Sequence, residues 1–169
     1  AKAESGASLD QVKAVAEKCI SGVRTMGMAM TPCILPGMQE VGFTLGKDEM
    51  EIGMGIHGEP GVHRQKIVPA ADVAQILLDK ILADLDYAGS EVAVLVNGLG
   101  GTPLMELYVM WDEVYRILGD RDIRIHRGWV GNYMTSLEMA GCSITLLKLD
   151  EELKLLLDRP SMTAAFPVA

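Results

Sequence analysis

One histidine lies in a stretch of the chain that carries very little side-chain bulk. Residues 51–61 have the sequence EIGMGIHGEPG, so His57 lies between Gly55 and Gly58 and is followed by Glu59. A neutral imidazole is both a base and a nucleophile near neutral pH, and small neighbours let a small molecule approach it. The alternation of residue types before the histidine predicts a strand that ends at His57, with one apolar face and one nearly bare face. The pattern therefore predicts a reactive histidine that a substrate reaches along Gly55 and Gly58.

Other interpretations of this stretch stay open. Glu59 could orient the imidazole, because a nucleophilic histidine usually needs a third group to hold its tautomer, but an ion pair at the rim of the loop explains Glu59 equally well. His57 could also be an ordinary histidine bonded to the backbone. A metal site with Glu59 and His63 is not expected, because the spacing is not that of HExxH and the proline-glycine turn prevents a helix from joining the two histidines.

A second glycine-rich segment, NGLGGTP, connects a predicted strand to a predicted helix. Glycines can expose backbone N–H groups, and the N-terminus of a helix favours negative charge. The candidate residues for an anion or partner site are Asn97, Gly98, Gly100, Gly101 and Thr102. The segment lacks the GK[ST] ending of a P-loop and the full dinucleotide fingerprint, so a tight strand-to-helix connection remains an equal alternative.

The composition limits the class of protein. The chain has 169 residues, of which 49% are hydrophobic, which suits a single domain with a sizeable core. A net charge of −8 argues against nucleic acid or an anionic membrane as a partner. No apolar run approaches the roughly 18 to 20 residues of a membrane span, and the opening residues do not resemble a signal peptide. Cys19, Cys33 and Cys142 lack CxxC spacing, which predicts reduced thiols in a cytoplasmic protein.

Hydrophobic periodicity predicts helices alternating with strands. Helices are expected at 8–25, 69–85, 103–118, 133–140 and 151–157, with Ser8, Thr102 and Asp150 as N-caps. Strands are expected at 43–45, 51–56, 92–96, 122–130 and 143–149. The polar residues 63–66 are assigned to no element, residues 1–7 resemble a linker, and residues 160–167 are expected to be irregular. The pattern indicates an α/β fold, with α+β as the alternative, in which helices pack on a layered sheet.

Three separated motifs carry a resemblance to a known family. They are GMGIHGEPG at 53–61, NGLGGT at 97–102 and GNYMTSLEMAGCSITLLKLDEEL at 131–153. Together they resemble the C-terminal lobe of the substrate-binding subunit or domain of dihydroxyacetone kinase, and the similarity extends from TMGMAM at 25–30 to the end of the chain. The resemblance implies the mixed sheet and packed helices of the second lobe of that fold. It also implies that His57 adds to the ketone carbon of dihydroxyacetone, giving a covalent hemiaminal that holds the substrate for phosphorylation to dihydroxyacetone phosphate.

The resemblance has further implications for partners. In that family an aspartate that activates the hydroxyl and a second histidine lie in an N-terminal lobe, which this sequence does not contain. We therefore expect residues 1–169 to be one domain, the C-terminal lobe of a longer protein, without activity alone. No cofactor is expected in this lobe; the phosphoryl donor, ATP or ADP with Mg²⁺, would be held by a separate domain or by a subunit recharged through a phosphotransferase system. A homodimer active in glycerol metabolism is the expected assembly.

Two alternatives belong to other functional classes. The chain could be a non-catalytic paralogue that keeps the ketose-binding histidine and acts as a sensor or transcription coactivator. It could also be a structural lobe whose role is assembly, in which case replacing His57 would leave ketose affinity unchanged.

Overall fold

The fold is taken from a computed structural model, which describes residues 1–37, 43–56 and 59–166. The helices are α1 Leu9–Gly22, α2 Ala70–Asp84, α3 Leu104–Asp120 and α4 Glu151–Leu157, with a 3₁₀ turn at Ala3–Ser5. The strands are β1 Val23–Ala29, β2 Glu49–Ile52, β3 His63–Lys66, β4 Glu91–Gly98, β5 Arg124–Gly131 and β6 Gly141–Leu149. This mixed arrangement confirms the predicted α/β class.

The six strands form one sheet in the order β3-β2-β1-β6-β4-β5. Among the strand pairs of the described residues only β4–β5 is parallel, and α3 makes the crossover between those two strands. The other pairs are antiparallel. Strand β4 lies between β5 and β6 and is buried along most of both faces, as its continuous apolar sequence predicts.

The two faces of the sheet carry different helices. The side chains of Val94, Ile144 and Leu146 point to one face, where they join the buried residues of α2 and α3 in the main core. Full burial of each such aliphatic side chain contributes about 1.5–3 kcal/mol. The opposite face carries Leu95 and Leu147, and helices α1 and α4 pack at its β6 side. The main core therefore lies between the sheet and the α2–α3 pair.

Two helix starts follow the sequence signals. The Ser8 hydroxyl accepts the Gln11 amide at 3.3 Å while the Ser8 amide donates to the Gln11 side chain at 2.9 Å, which completes a capping box. The Asp150 carboxylate accepts the Leu153 amide at 2.8 Å and caps α4. The predictions that Ser8 and Asp150 are N-caps are therefore confirmed, and each of these caps depends on residues only three positions apart.

Other boundaries are wrong in the sequence-based assignment. Helix α1 ends at Gly22 instead of residue 25, because Val23 turns to an extended conformation and begins β1, which pairs with β6 over seven residues. Residues 63–66 form an edge strand, although they are polar. Residues 43–45 form no strand, and Phe43 packs its ring on a small apolar cluster instead. Residues 133–140 form turns and no helix.

Candidate functional site

The candidate histidine belongs to the connection between β2 and β3, which we call the histidine loop (residues 53–62). His57 and Gly58 lie outside the described residues, so the site is built from what surrounds them. The two strands pair with Ile52 opposite His63, and the Val62 amide donates to the Ile52 carbonyl at 2.8 Å. This bond joins the last residue of β2 to the residue just before β3 and closes the base of the loop.

The loop begins earlier than the alternating sequence predicts. Gly53 has a φ of 84°, a left-handed conformation that favours glycine, and its amide donates to the Gly27 carbonyl at 2.7 Å. A methyl group at Gly53 would lie 3.1 Å from a Val62 methyl carbon. The backbone therefore leaves the sheet at this residue, and the strand predicted to continue to His57 ends at Ile52 instead.

Gly55 and Glu59 face each other across the two positions that lie outside the description. The Gly55 amide donates to the Glu59 carbonyl at 3.4 Å, and a methyl group at Gly55 would collide with the Glu59 carboxylate. The space left by the missing side chain at Gly55 is therefore bordered by a carboxylate. This arrangement is compatible with the predicted roles of Gly55 in substrate binding and of Glu59 in orienting an imidazole, and both roles remain predictions.

A small apolar cluster brings the two glycine-rich segments together. Met54 of the histidine loop packs in one buried cluster with Ala29, Leu99 and Met139, and Ile56 packs against it. Leu99 is the third residue of the NGLGGT segment. Met54 and Leu99 are more than forty residues apart in sequence, and their packing brings the two motifs together at one end of the strands.

The glycines of the NGLGGT segment allow a close approach to the 133–141 segment. The amides of Leu99 and Gly101 donate to the carbonyls of Gly141 and Met139 at 3.1 and 2.9 Å. Gly100 has a φ of 116°, and a methyl group there would collide with a backbone carbonyl of the facing segment. A methyl group at Gly101 would do the same, and one at Gly98 would collide with the Asn132 side chain. These contacts account for a tight connection, and an anion or partner site stays a prediction.

Two polar residues of the NGLGGT segment bond to the backbone of the 133–141 segment. Asn97 is 3% exposed and bonds through both side-chain atoms to the backbone of Tyr133 and Met134. The Thr102 hydroxyl donates to the Gly141 carbonyl and accepts the Gly141 amide, each at 2.8 Å. The prediction that Thr102 caps α3 is therefore wrong. Pro103 occupies the N-cap position, and the Thr102 hydroxyl bonds to the backbone of Gly141 instead.

An apolar cavity adjoins the NGLGGT segment, with Thr102 and Gly141 among its lining residues. It has a volume of about 200 Å³ and lies between β1, β6 and the first turns of α2 and α3. Cys142 lines it, and burial raises the pKa of this thiol to about 12, so the sulfur is protonated at neutral pH. No described residue of the histidine loop lines this cavity. We therefore place the candidate site at the paired loops and not in the cavity.

One charged residue beside the site was not singled out by the sequence. Glu51 is 7% exposed and bonds to the Gly61 amide at 2.7 Å and to Arg64 at 2.9 Å. Sequence reasoning could have found Glu51 from its pairing with Arg64 of the next strand, but that pairing depends on the strand register, which the sequence alone does not give. Within residues 1–37, 43–56 and 59–166, no group of three or more His, Cys, Asp or Glu side chains is placed to hold a metal ion. None of the helices in the described part is both long and apolar enough to span a membrane.

Comparison with known proteins agrees with the motif resemblance. The Dak1 domain model matches residues 1–165. The chain is 50% identical over 153 residues to the dihydroxyacetone-binding subunit DhaK of PTS-dependent dihydroxyacetone kinase 1 from Listeria innocua, covering 90% of this chain and 46% of that subunit. The chain thus spans about half the length of this relative.

Solved structures give the same result. The dihydroxyacetone kinase from C. freundii in complex with AMP-PNP and Mg²⁺ matches with a TM-score of 0.89 at 30% identity, covering 99% of this chain and 31% of the kinase chain. The dihydroxyacetone kinase operon co-activator DhaQ matches with a TM-score of 0.87 at 35% identity, covering 94% of this chain and 50% of the co-activator. On the domain match and these similarities, the chain belongs to the Dak1 domain family.

Proposed function

We propose that this chain is the substrate-holding lobe of a dihydroxyacetone kinase. In this proposal His57 binds dihydroxyacetone covalently as a hemiaminal, so that a terminal hydroxyl can be phosphorylated to give dihydroxyacetone phosphate. The observation that carries the proposal is the family match together with the histidine motif, because half of the 153 aligned residues are identical to those of a subunit named for binding dihydroxyacetone. The packing of Met54 against Leu99 supports it further, since it places the NGLGGT segment beside the loop that contains His57.

The proposed chemistry needs only a neutral imidazole and a ketone. The lone pair of one ring nitrogen forms a bond to C2, the carbonyl π pair moves to oxygen, and that oxygen takes a proton. The other ring nitrogen loses its proton, so that N–H has been added across C=O with no redox change. Because glycerol has no carbonyl, only the ketose can form this bond, and the site distinguishes the two more sharply than hydrogen bonds alone would. A covalent bond also fixes the orientation of the hydroxyl that must react.

Phosphoryl transfer requires parts that we assign elsewhere. A donor, ATP or ADP with Mg²⁺, would be held by a separate domain or subunit, and the base that activates the hydroxyl by an N-terminal lobe. The nucleotide analogue and Mg²⁺ named for the C. freundii kinase support a nucleotide donor, and the PTS-dependent Listeria relative supports the phosphotransferase type. The isolated chain is then inactive as a kinase. A homodimer in the reducing cytoplasm completes the proposal, and the free state of all three cysteines is in keeping with that compartment.

Carbon NMR of dihydroxyacetone labelled at C2 tests the covalent step directly. On binding to the wild-type chain, the ketone resonance should be replaced by that of a tetrahedral carbon. His57→Ala should abolish the change. His63→Ala is the matched control, because His63 is an exposed histidine on the first residue of β3 in the same hairpin, and it should behave as wild type. A wild-type chain that leaves the ketone resonance intact, or a His57→Ala chain that still converts it, contradicts the proposal.

A second function is favoured by one comparison. The co-activator DhaQ matches this chain with a TM-score close to that of the kinase, so a ketose sensor without catalysis is the alternative. Both functions predict the covalent adduct. Supplying an N-terminal lobe and a nucleotide-bearing partner separates them, because only the kinase lobe then yields dihydroxyacetone phosphate in an assay coupled to product formation.

A further inference from the structure

A buried carboxylate at the base of the histidine loop has no part in the chemistry above. Glu51 is the third residue of β2, and its side chain is 9% exposed. One carboxylate oxygen accepts the Gly61 amide at 2.7 Å, and the other accepts an Arg64 guanidinium N–H at 2.9 Å. A buried carboxylate needs such partners, and bonds with an ionised acceptor are stronger than neutral ones.

The close packing of Gly61 against β2 is a second sign that the loop returns to the sheet at this point. A methyl group at Gly61 would collide with the Ile52 carbonyl and would come within 2.6 Å of Cγ of Glu51. Gly61 is therefore a position where the returning chain lies directly against β2, and only a residue without a side chain fits there. The glutamate and the glycine together determine where the loop comes back to the sheet.

The described part of the histidine loop is also bonded to the sheet at both ends, and Met54 packs in the small apolar cluster. The Gly53 amide bonds to Gly27 at the start, and the Val62 amide bonds to Ile52 at the end. Between them the sequence contains glycine at positions 55, 58 and 61, so the free chain has a large conformational entropy. The bond from Glu51 to Gly61 fixes the returning backbone of the loop one residue before the Val62 bond closes the hairpin.

We propose that Glu51 is a positioning residue for the histidine loop and acts on ketose binding through the backbone at Gly61. Arg64 is its ionic partner and keeps the carboxylate charged and directed at the amide. This role rests on the proposed covalent binding at His57, because a nucleophile must be held in a narrow range of positions to form its bond efficiently. Glu51 itself does not contact the substrate.

The chain contains a matched control on the same strand. Glu49 accepts the Gly46 amide at 2.8 Å, and its carboxylate lies 3.8 Å from Lys66. It therefore has the same kinds of partner as Glu51, a glycine amide and a cation of β3, but at the opposite end of the strand. Glu49→Gln removes a comparable charge without touching the histidine loop.

The test compares Glu51→Gln with Glu49→Gln in the full chain, using two measurements. The first is hydrogen exchange of the Gly61 amide, which needs no ketose and should be faster only in Glu51→Gln. The second is the adduct equilibrium constant from titration with C2-labelled dihydroxyacetone. We expect it to fall about tenfold or more in Glu51→Gln, the size of one charge-assisted hydrogen bond, and to change by less than about twofold in Glu49→Gln. Thermal unfolding of both variants shows that each is folded.

The outcomes separate the two proposals. Unchanged Gly61 exchange in Glu51→Gln, or an adduct constant equal to that of Glu49→Gln, overturns the positioning role while leaving the covalent function intact. A wild-type chain that forms no adduct overturns the proposed function, and the positioning role with it. If Glu51→Gln does not fold, Glu51→Asp tests the positioning role instead, because it keeps the charge that pairs with Arg64 but moves the carboxylate away from Gly61. An adduct constant equal to that of wild type in Glu51→Asp refutes the role.

Discussion

The hydrogen bonds of Asn97 make a quantitative prediction about the segment beside the site. Its Oδ1 accepts the amides of Tyr133 and Met134, each at 2.9 Å, and its Nδ2 donates to the Met134 carbonyl at 2.8 Å and to the Ser143 hydroxyl at 3.3 Å. Asn97→Ala leaves three backbone groups of the 133–141 segment without these partners. Leaving a buried polar group unpaired costs about 1–3 kcal/mol. Because Tyr133 is half-buried and Met134 is exposed, we take the lower end for each group. The free energy of unfolding should therefore fall by about 3 kcal/mol.

Urea denaturation of the full chain with linear extrapolation measures this loss. Ser143→Ala is the control, since it removes only the longest of the four bonds and should cost less than about 1 kcal/mol. If Asn97→Ala costs no more than Ser143→Ala, the side chain does not hold this segment, and the reasoning is refuted.

Three further predictions concern other parts of the fold. Gly100→Ala should destabilise the chain by more than about 1 kcal/mol, because the added methyl group collides with a backbone carbonyl and Gly100 has a φ of 116°. Gly119→Ala, at an exposed helix position with open space, should instead stabilise the chain by about 0.5–1 kcal/mol. Denaturation of the two variants compares these effects, and equal effects would contradict the close approach at Gly100. The hydrogen bond from Lys18 holds the pKa of Asp150 below its usual range, so the stability from this pair is present above about pH 4 and is lost as the pH falls through the folded pKa. Asp150→Asn should therefore flatten the acid side of a plot of unfolding free energy against pH. An unchanged plot would argue against the pair. The Cys142 thiol, whose pKa burial raises to about 12, should react with a thiol reagent at pH 8 only after unfolding. Rapid native labelling of Cys142 itself, distinguished by peptide mapping from the partly accessible Cys19 and Cys33, would contradict its burial.

Local sequence signals determined a large part of this fold. The capping box at Ser8 involves residues only three positions apart, and the continuous apolar run of β4 needs nothing more than its own composition. The alternation of β5 and the start of α4 at Asp150 were predicted for the same reason. The family resemblance likewise came from contiguous motifs, and the domain match confirms it.

Contacts between distant parts of the chain decided the rest. Val23 ends the helical periodicity because β1 pairs with β6, which lies more than a hundred residues away in sequence. Residues 133–140 do not form the predicted helix, because Asn97 and the NGLGGT segment bind their backbone in another conformation.

The surroundings of the candidate site show the same division. The residue types in EIGMGIHGEPG indicated a nucleophilic histidine, but not that the strand ends at Ile52 or that Met54 packs on Leu99. Nor did they show that Glu51 reaches Gly61 across the base of the loop. A helix cap or an alternating strand depends on neighbours in sequence, whereas strand register, loop packing and the partner of a buried charge depend on which distant segments meet. Only the tertiary structure contains that information.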